Sequence, residues 1–250
     1  MKLTRHNGRS GKHGTYNPRH NDRRFDVGNS EHIDSERVGR NVYWDCYRGF
    51  TTHAFRDNPD QPDYSFEEIE RMYYLEHYGG HVEAQNARNE KTRHTERNRT
   101  VEDLLKNNKT CPEESIYQIG TMGQSVSPDT LGCIVQEFYE EFERRFGSHI
   151  HILDWALHLD EGTPHIHERH VFDCQNRYGE LCPQQERRWK NWRSRFLPRT
   201  SQRADTTTGS RPLMQSAGRF CLILPCGMDC SWIRNRPMAG GSIWKSRIIS

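Results

Sequence analysis

The stretch His158-Leu159-Asp160-Glu161-Gly162-Thr163-Pro164-His165-Ile166-His167 gathers three imidazoles and two carboxylates around a Gly-Thr-Pro turn signal. Alternate residues of a strand share a face, so His165 and His167 project together while Ile166 points away. A turn over 161–164 folds the preceding strand back and brings His158 beside them. Three neutral imidazoles converging from two strands form a ready divalent-metal site, with Asp160 and Glu161 close enough to add charge or orient a ring. The competing reading, a polar hairpin with exposed histidines, fits one isolated imidazole better than this cluster.

Working outward, the flanks supply a sheet to carry the hairpin. Residues 149–157 read as the strand that feeds the cluster, and 168–173 continue the returning strand up to the turn Asn176-Arg177-Tyr178-Gly179. His149-Ile150-His151 is a second His-hydrophobic-His pair. In a regular strand its odd separations from His158 place both rings on the opposite face, which makes the pair a decoy. Ser127-Pro128 is a helix start, and Leu131, Val135, Phe138, Phe142 and Phe146 then recur every three or four residues before Gly147. Residues 115–121 alternate as a strand, and Ser65 with Glu68 forms a capping box for a helix expected to stop at Gly79-Gly80. Thr100 is placed to cap a short helix. Residues 2–5 read as a short strand in a basic arm, 57–64 as a loop, and 83–99, charged and without apolar period, as a solvated helix or insert.

The spacing His-x-Asp-Glu-x-Thr-Pro-His-x-His resembles the metal motif of the Mob/Pre family, the plasmid mobilisation and recombination relaxases. The His-hydrophobic-His pair within it is the HUH signature of endonucleases that nick single-stranded DNA. Upstream, Arg19-His20-Asn21-Asp22-Arg23-Arg24 resembles the family's first motif. A third, degraded match is Asp34-Ser35-Glu36-Arg37 followed by Asn41-Val42-Tyr43, where Val42 interrupts the family's Asn-Tyr pair. The resemblance covers about residues 15–187. It implies an α+β fold, a central antiparallel β-sheet with helices packed on one face and the metal and DNA on the other.

The resemblance also implies roles. His158, His165 and His167 would hold Mn²⁺ or Mg²⁺, and His20 would be the nucleophile, with Tyr43 its rival. Arg23 would brace the phosphate, and Arg19, Arg23 and Arg24 would contact DNA. Glu161 would take the nucleophile's proton or orient a ligand ring, and Glu114 matches an acidic position near the metal. The partner would be single-stranded or hairpin DNA at an origin of transfer, with the protein joined covalently to the 5′ side; a homodimer is compatible. The chemistry is coherent on its own terms, because a neutral imidazole can attack phosphorus and a guanidinium can brace two phosphate oxygens. Two other classes stay open: a metal-bound DNA-binding remnant that does not cleave, and a three-histidine Zn²⁺ hydrolase.

Composition fits a polar protein with a modest core, at 32% hydrophobic and 28% charged residues. No apolar run approaches the roughly 20 residues that span a bilayer, and no signal-peptide core opens the chain, so a cytoplasmic protein is expected. Eight cysteines without paired-ligand spacing suggest reduced, structural thiols. The net charge of +2 conceals a division: residues 1–187 hold 32 Asp+Glu against 24 Lys+Arg, and residues 188–250 hold two acids against 12 bases. All 14 histidines and all 10 tyrosines precede residue 188. The reading is therefore a relaxase-like catalytic domain, 1–187, and a poorly structured basic tail, 188–250. That tail is either a disordered nucleic-acid-binding segment or the out-of-frame product of a frame change near 185–189; the abrupt loss of acid, His and Tyr favours the second.

Overall fold

Two long antiparallel strands joined by the Gly-Thr-Pro turn form the middle of the sheet in a computed structural model that describes residues 3–9, 18–56 and 64–184. In chain order the elements are β1 (Leu3–Arg9), α1 (Pro18–Asn21), β2 (Val42–Asp45), β3 (Gly49–Thr52), α2 (His53–Arg56), α3 (Phe66–Lys91), α4 (Val101–Lys106), β4 (Glu113–Thr121), β5 (Gln124–Ser125), α5 (Pro128–Phe146), β6 (Ile150–His158), β7 (His165–Gln175) and β8 (Leu181–Pro183). The strands make one antiparallel sheet in the order β1-β4-β7-β6-β2-β3, with β5 paired to β4 and β8 to β7. This is the expected α+β architecture. The 188–250 tail and residues 57–63 of the loop expected at 57–64 lie outside the described residues.

Alternation along β7 sorts the two faces. Ile166 and Phe172 pack with Leu131, Val135, Phe138 and Phe142 of α5, whose Ser127 cap and Pro128 start are as the sequence predicts. Val171, one residue from Phe172, instead packs with Tyr73, Tyr74, Tyr78 and Val82 of α3. The helices are therefore not confined to one face. α5 covers one side, while α3 covers the lower half of the other and leaves its upper half, around His165 and His167, for the site. The buried Arg169 guanidinium fixes α3 there by donating to Glu70 (2.9 Å) and to the Pro112 carbonyl (3.0 Å).

α3 also overruns its expected stop. The Ser65/Glu68 capping box forms, but the helix passes through Gly79-Gly80 and the charged stretch to Lys91. Glycine lowers helix propensity by about 1 kcal/mol, and burial of Val82 and Asn89, with His81 and Arg88 both engaging Glu180 beside β8, holds the second half down. The parity argument about His151 meets a different correction. Register slips between Ile152 and Asp154, so a bulge reverses the alternation. His151 pairs with Val171 and thus shares the face of His158, but it lies beside α3 with Nε2 3.1 Å from Asp173. Among the described residues Cys46, Cys111, Cys174 and Cys182 are reduced thiols.

A methyl group added at Gly79 or Gly80 meets nothing within 4 Å. Gly79→Ala with Gly80→Ala should therefore stabilise the domain by about 1–2 kcal/mol, read as a higher urea midpoint with an unchanged m-value. A loss of stability would show that α3 does not run through this point.

Candidate metal centre

The β6–β7 turn sets His158 directly opposite His165, and two residues further on His167 faces the small Ala156. The three rings converge with centroids 4.9–5.2 Å apart, all largely buried. Each is oriented by one committed nitrogen. His158 Nε2 donates to the Asn21 carbonyl (2.9 Å), His165 Nδ1 to the Thr163 carbonyl (2.8 Å) and His167 Nδ1 to Glu114 Oε1 (2.6 Å). A neutral imidazole donating from one nitrogen carries its lone pair on the other. His158 Nδ1, His165 Nε2 and His167 Nε2 are thus left as ligand atoms, and His158 Nδ1 is buried with no hydrogen-bond partner.

Glu161 completes the concave side. Its carboxylate lies 3.8 Å from His158 Nδ1, 3.6 Å from His165 Nε2 and 3.4 Å from His20 Nε2. Ligand atoms of His158, Glu161 and His165, and those of His20, His158 and His167, fall within 4.8 Å of one another. His158 belongs to both groups, whereas His165 and His167 fall in different ones; either set, two imidazoles with a carboxylate or three imidazoles, suits Mn²⁺ or Zn²⁺ better than the oxygen-seeking Mg²⁺. The orphaned His158 nitrogen is the feature such an ion would satisfy.

Electrostatics favour the neutral form of His158 and His165. Burial lowers the His158 and His165 pKa values, His158 well below the ordinary range, and the positive charges of Arg23 and neighbouring rings lower them further. Burial alone would raise Glu161, but the His20 hydrogen bond, His165 and Arg23 outweigh it and hold the carboxyl at about 2. So acidic a carboxylate is a poor proton acceptor near neutral pH, which favours an orienting or ligand role over that of a base.

His20 and Arg23 arrive from the other end of the chain. Asp22 accepts the backbone N–H of Phe66 at the start of α3 (3.0 Å) and so docks the segment following α1. His20 then stands with its ring 5.5 Å from His158 and 5.4 Å from His167, partly exposed. Arg23 is placed differently from its expected role. Its Nε and Nη2 fork Asp160 (2.9 and 2.8 Å), Nη2 also meets Glu161 (2.7 Å), and Nη1 donates to the His20 carbonyl (2.7 Å). The side chain is fully buried, and its N–H groups face protein acceptors, so it is not presented to a phosphate. Arg19 and Arg24, by contrast, are exposed.

Tyr43 is fully buried on β2, packed against Phe66, with its hydroxyl 3.4 Å from His53 and its pKa pushed up to about 12 by burial. It is not brought among the histidine rings. Glu114 does come to the site, bridging His167 and the Asn21 side chain (3.3 Å). Two contributors stand within the upstream motifs without a role assigned from the sequence. The Asn21 carbonyl orients His158, and Asn41 accepts Leu159 N–H (2.8 Å) while donating to Asp160 (2.7 Å). A side-chain type announces a ligand, whereas a backbone acceptor cannot be read from composition.

No protein-family model and no curated protein matches the sequence. Among solved structures the chain is similar to the MobM relaxase domain (MOBV; Mob_Pre), Mn-bound and in complex with 22-nucleotide plasmid pMV158 oriT DNA. One such structure, at pH 4.6, is 16% identical over 68% of this chain and 70% of that one, at a TM-score of 0.41. Two others match at 16% identity over 72% and 74%, TM-score 0.44, and at 14% over 83% and 96%, TM-score 0.43. Likeness at this level is one of outline, and the chemistry of this chain rests on its own residues. Among the described residues, no helix is long and apolar enough to cross a membrane.

Two outcomes follow from the geometry. Arg23→Ala strands the buried Asp160 carboxylate and should cost about 3–5 kcal/mol in urea unfolding, with little dependence on salt; a cost under about 1 kcal/mol would mean the pair is solvated. The second concerns protons. Because the folded pKa values of His158 and His165 lie below the unfolded value, the stability these rings lend is complete above about pH 6.5 and is lost as pH falls. The ion-free protein should gain up to about 1.4 kcal/mol per pH unit for each ring on approaching pH 6.5 from below, and His165→Asn should flatten that rise.

Proposed function

We propose that this protein is a metal-dependent DNA nicking and rejoining enzyme of the relaxase type, acting on one strand at a plasmid or mobile-element origin of transfer. One observation carries the reading. The buried pair of Arg23 and Asp160 joins the two ends of the domain and brings His20 beside three oriented imidazoles contributed by β6 and β7.

A divalent cation held by His158, His165 and His167 would polarise a scissile phosphate and offset the charge that develops on its oxygens. The remaining work falls to the chain. His20 Nε2 lies 3.3 Å from Arg23 Nη1, a donor, and 3.4 Å from Glu161 Oε1, an acceptor, and it is the tautomer with the lone pair on Nε2, the one Arg23 favours, that can attack. Attack by Nε2 on phosphorus forms an N–P bond as the P–O3′ bond breaks. The Nδ1 proton is given up and the 3′ oxygen gains one, leaving a free 3′-hydroxyl and a 5′-phosphoramidate on the protein. The reverse attack by a 3′-hydroxyl rejoins the strand. Glu161 orients His20 and the ligand rings, and Arg19 and Arg24 offer exposed charge to the DNA backbone.

Burial of Tyr43, with its hydroxyl turned to His53, favours His20 as the nucleophile. The test uses single-stranded oligonucleotides tiled across the DNA flanking the coding sequence, incubated with Mn²⁺ and scored for a protein–DNA adduct on a denaturing gel. His20→Ala should slow adduct formation by on the order of 10³-fold or more, and Tyr43→Phe should leave it within a few-fold of wild type. A His20→Ala protein that nicks at the wild-type rate overturns the nucleophile. Binding with no adduct from any oligonucleotide would select the non-cleaving alternative.

A further inference from the structure

The tip of the β4–β5 hairpin carries Met122, which is 82% exposed, whereas the other exposed large apolar side chains among the described residues reach at most 50%. Leaving so much apolar surface in water opposes folding and gains nothing from packing. The position is also built rather than loose. Gly120 has φ +100°, and a Cβ there would lie 2.3 Å from the Gln124 carbonyl oxygen, so the backbone closes tightly only with glycine. Gln118 Nε2 donates to the Gly120 carbonyl (3.0 Å), and Gly123 turns the chain at φ +78°.

The hairpin lies against the metal-site turn. The Met122 methyl is 3.7 Å from where a Cβ on Gly162 would stand, and Gly162 follows Glu161, whose carboxylate meets His20, His158 and His165. Residues 121–125, Thr-Met-Gly-Gln-Ser, carry no charge, although 28% of the chain is charged. An uncharged apolar tip has nothing to offer a phosphate but a good deal to offer a nucleobase, whose face packs on a polarisable thioether or methyl. The exposed guanidinium groups close to His20 in sequence, those of Arg19 and Arg24, sit on a different segment.

Resting on the nickase reading above, we propose that Met122 is a base-contacting residue: it packs on a nucleobase next to the scissile phosphate, while Arg19 and Arg24 take the backbone. Such a contact adds affinity without releasing counterions, so it is separable from the electrostatic part by its salt dependence.

The experiment measures anisotropy of fluorescein-labelled dT20 and dA20 with the full-length protein in Mn²⁺ across a salt series. Met122→Gln keeps the length and removes the apolar character; it should bind about five- to tenfold more weakly at every salt concentration with the slope of log K against log salt unchanged. Met122→Leu should stay within about twofold of wild type, while Arg24→Ala should lower the slope by about one. Equal binding by wild type and Met122→Gln, or a change in slope for that variant, overturns the base contact and leaves the nickase reading standing. A wild-type protein that binds neither oligonucleotide overturns the base contact, while the adduct assay on the tiled oligonucleotides decides the nickase reading separately.

Discussion

The fork between Arg23 and Asp160 is the contact on which the site depends. It joins the segment after α1 to the β6–β7 turn across 137 residues, and both side chains are fully buried. Burying two charges costs several kcal/mol per ion, recovered only when geometry is good and the remaining donors and lone pairs are satisfied. Here they are: Asn41 donates to Asp160, and Arg23 also reaches Glu161 and the His20 carbonyl. The Arg23 backbone sits at φ +58°, an unusual region for a long side chain, at a cost of about 1–3 kcal/mol. The surrounding hydrogen bonds hold it there, and one consequence is that His20, three residues earlier, is fixed against the histidine rings.

Charge follows the same pattern through the domain. The acid excess over residues 1–187 looks unfavourable for a DNA partner, since affinity for a polyanion grows with basic contacts. Its distribution changes that view. Nine Asp and Glu side chains but only three Arg are buried among the described residues, so much of the excess faces inward. Several of these acids serve the scaffold: Asp22 docks on the start of α3, Glu70 holds Arg169, and Glu114 orients His167. The surface is therefore less acidic than the composition indicates, and Arg19 and Arg24, flanking His20 in sequence, are among the charges that remain outside.

Much of this is legible in the sequence because it depends on short-range chemistry. The cap at Ser127, the apolar stripe from Leu131 to Phe142 and the turn within 161–164 are all local, and they place α5 and the β6–β7 hairpin correctly. What is not legible depends on contacts distant in sequence. Gly79-Gly80 is a helix stop by propensity, but packing of Val82 and the Glu180 contacts carries α3 onward. The face of His151 reads wrongly from parity because one inserted residue at the bulge reverses every side chain before it. Arg23 has the residue type of a phosphate ligand, and only its burial shows that its donors are already committed.

His20 lies close enough to His158 and His167 to be counted as a metal ligand itself, and the distinction turns on how each ring is held. His158, His165 and His167 each have one nitrogen anchored by a carbonyl or carboxylate, so the ligand atom is fixed before any ion arrives. His20 has no such anchor among the described residues; its contacts to the Arg23 and Glu161 side chains both involve Nε2, and its ring is partly exposed, stacked on Phe25. A ligand gains from rigid orientation, whereas a nucleophile must swing between attack and release and must reach solvent-borne substrate. On the proposed reading, the asymmetry in anchoring favours the three anchored rings as ligands and His20 as the nucleophile.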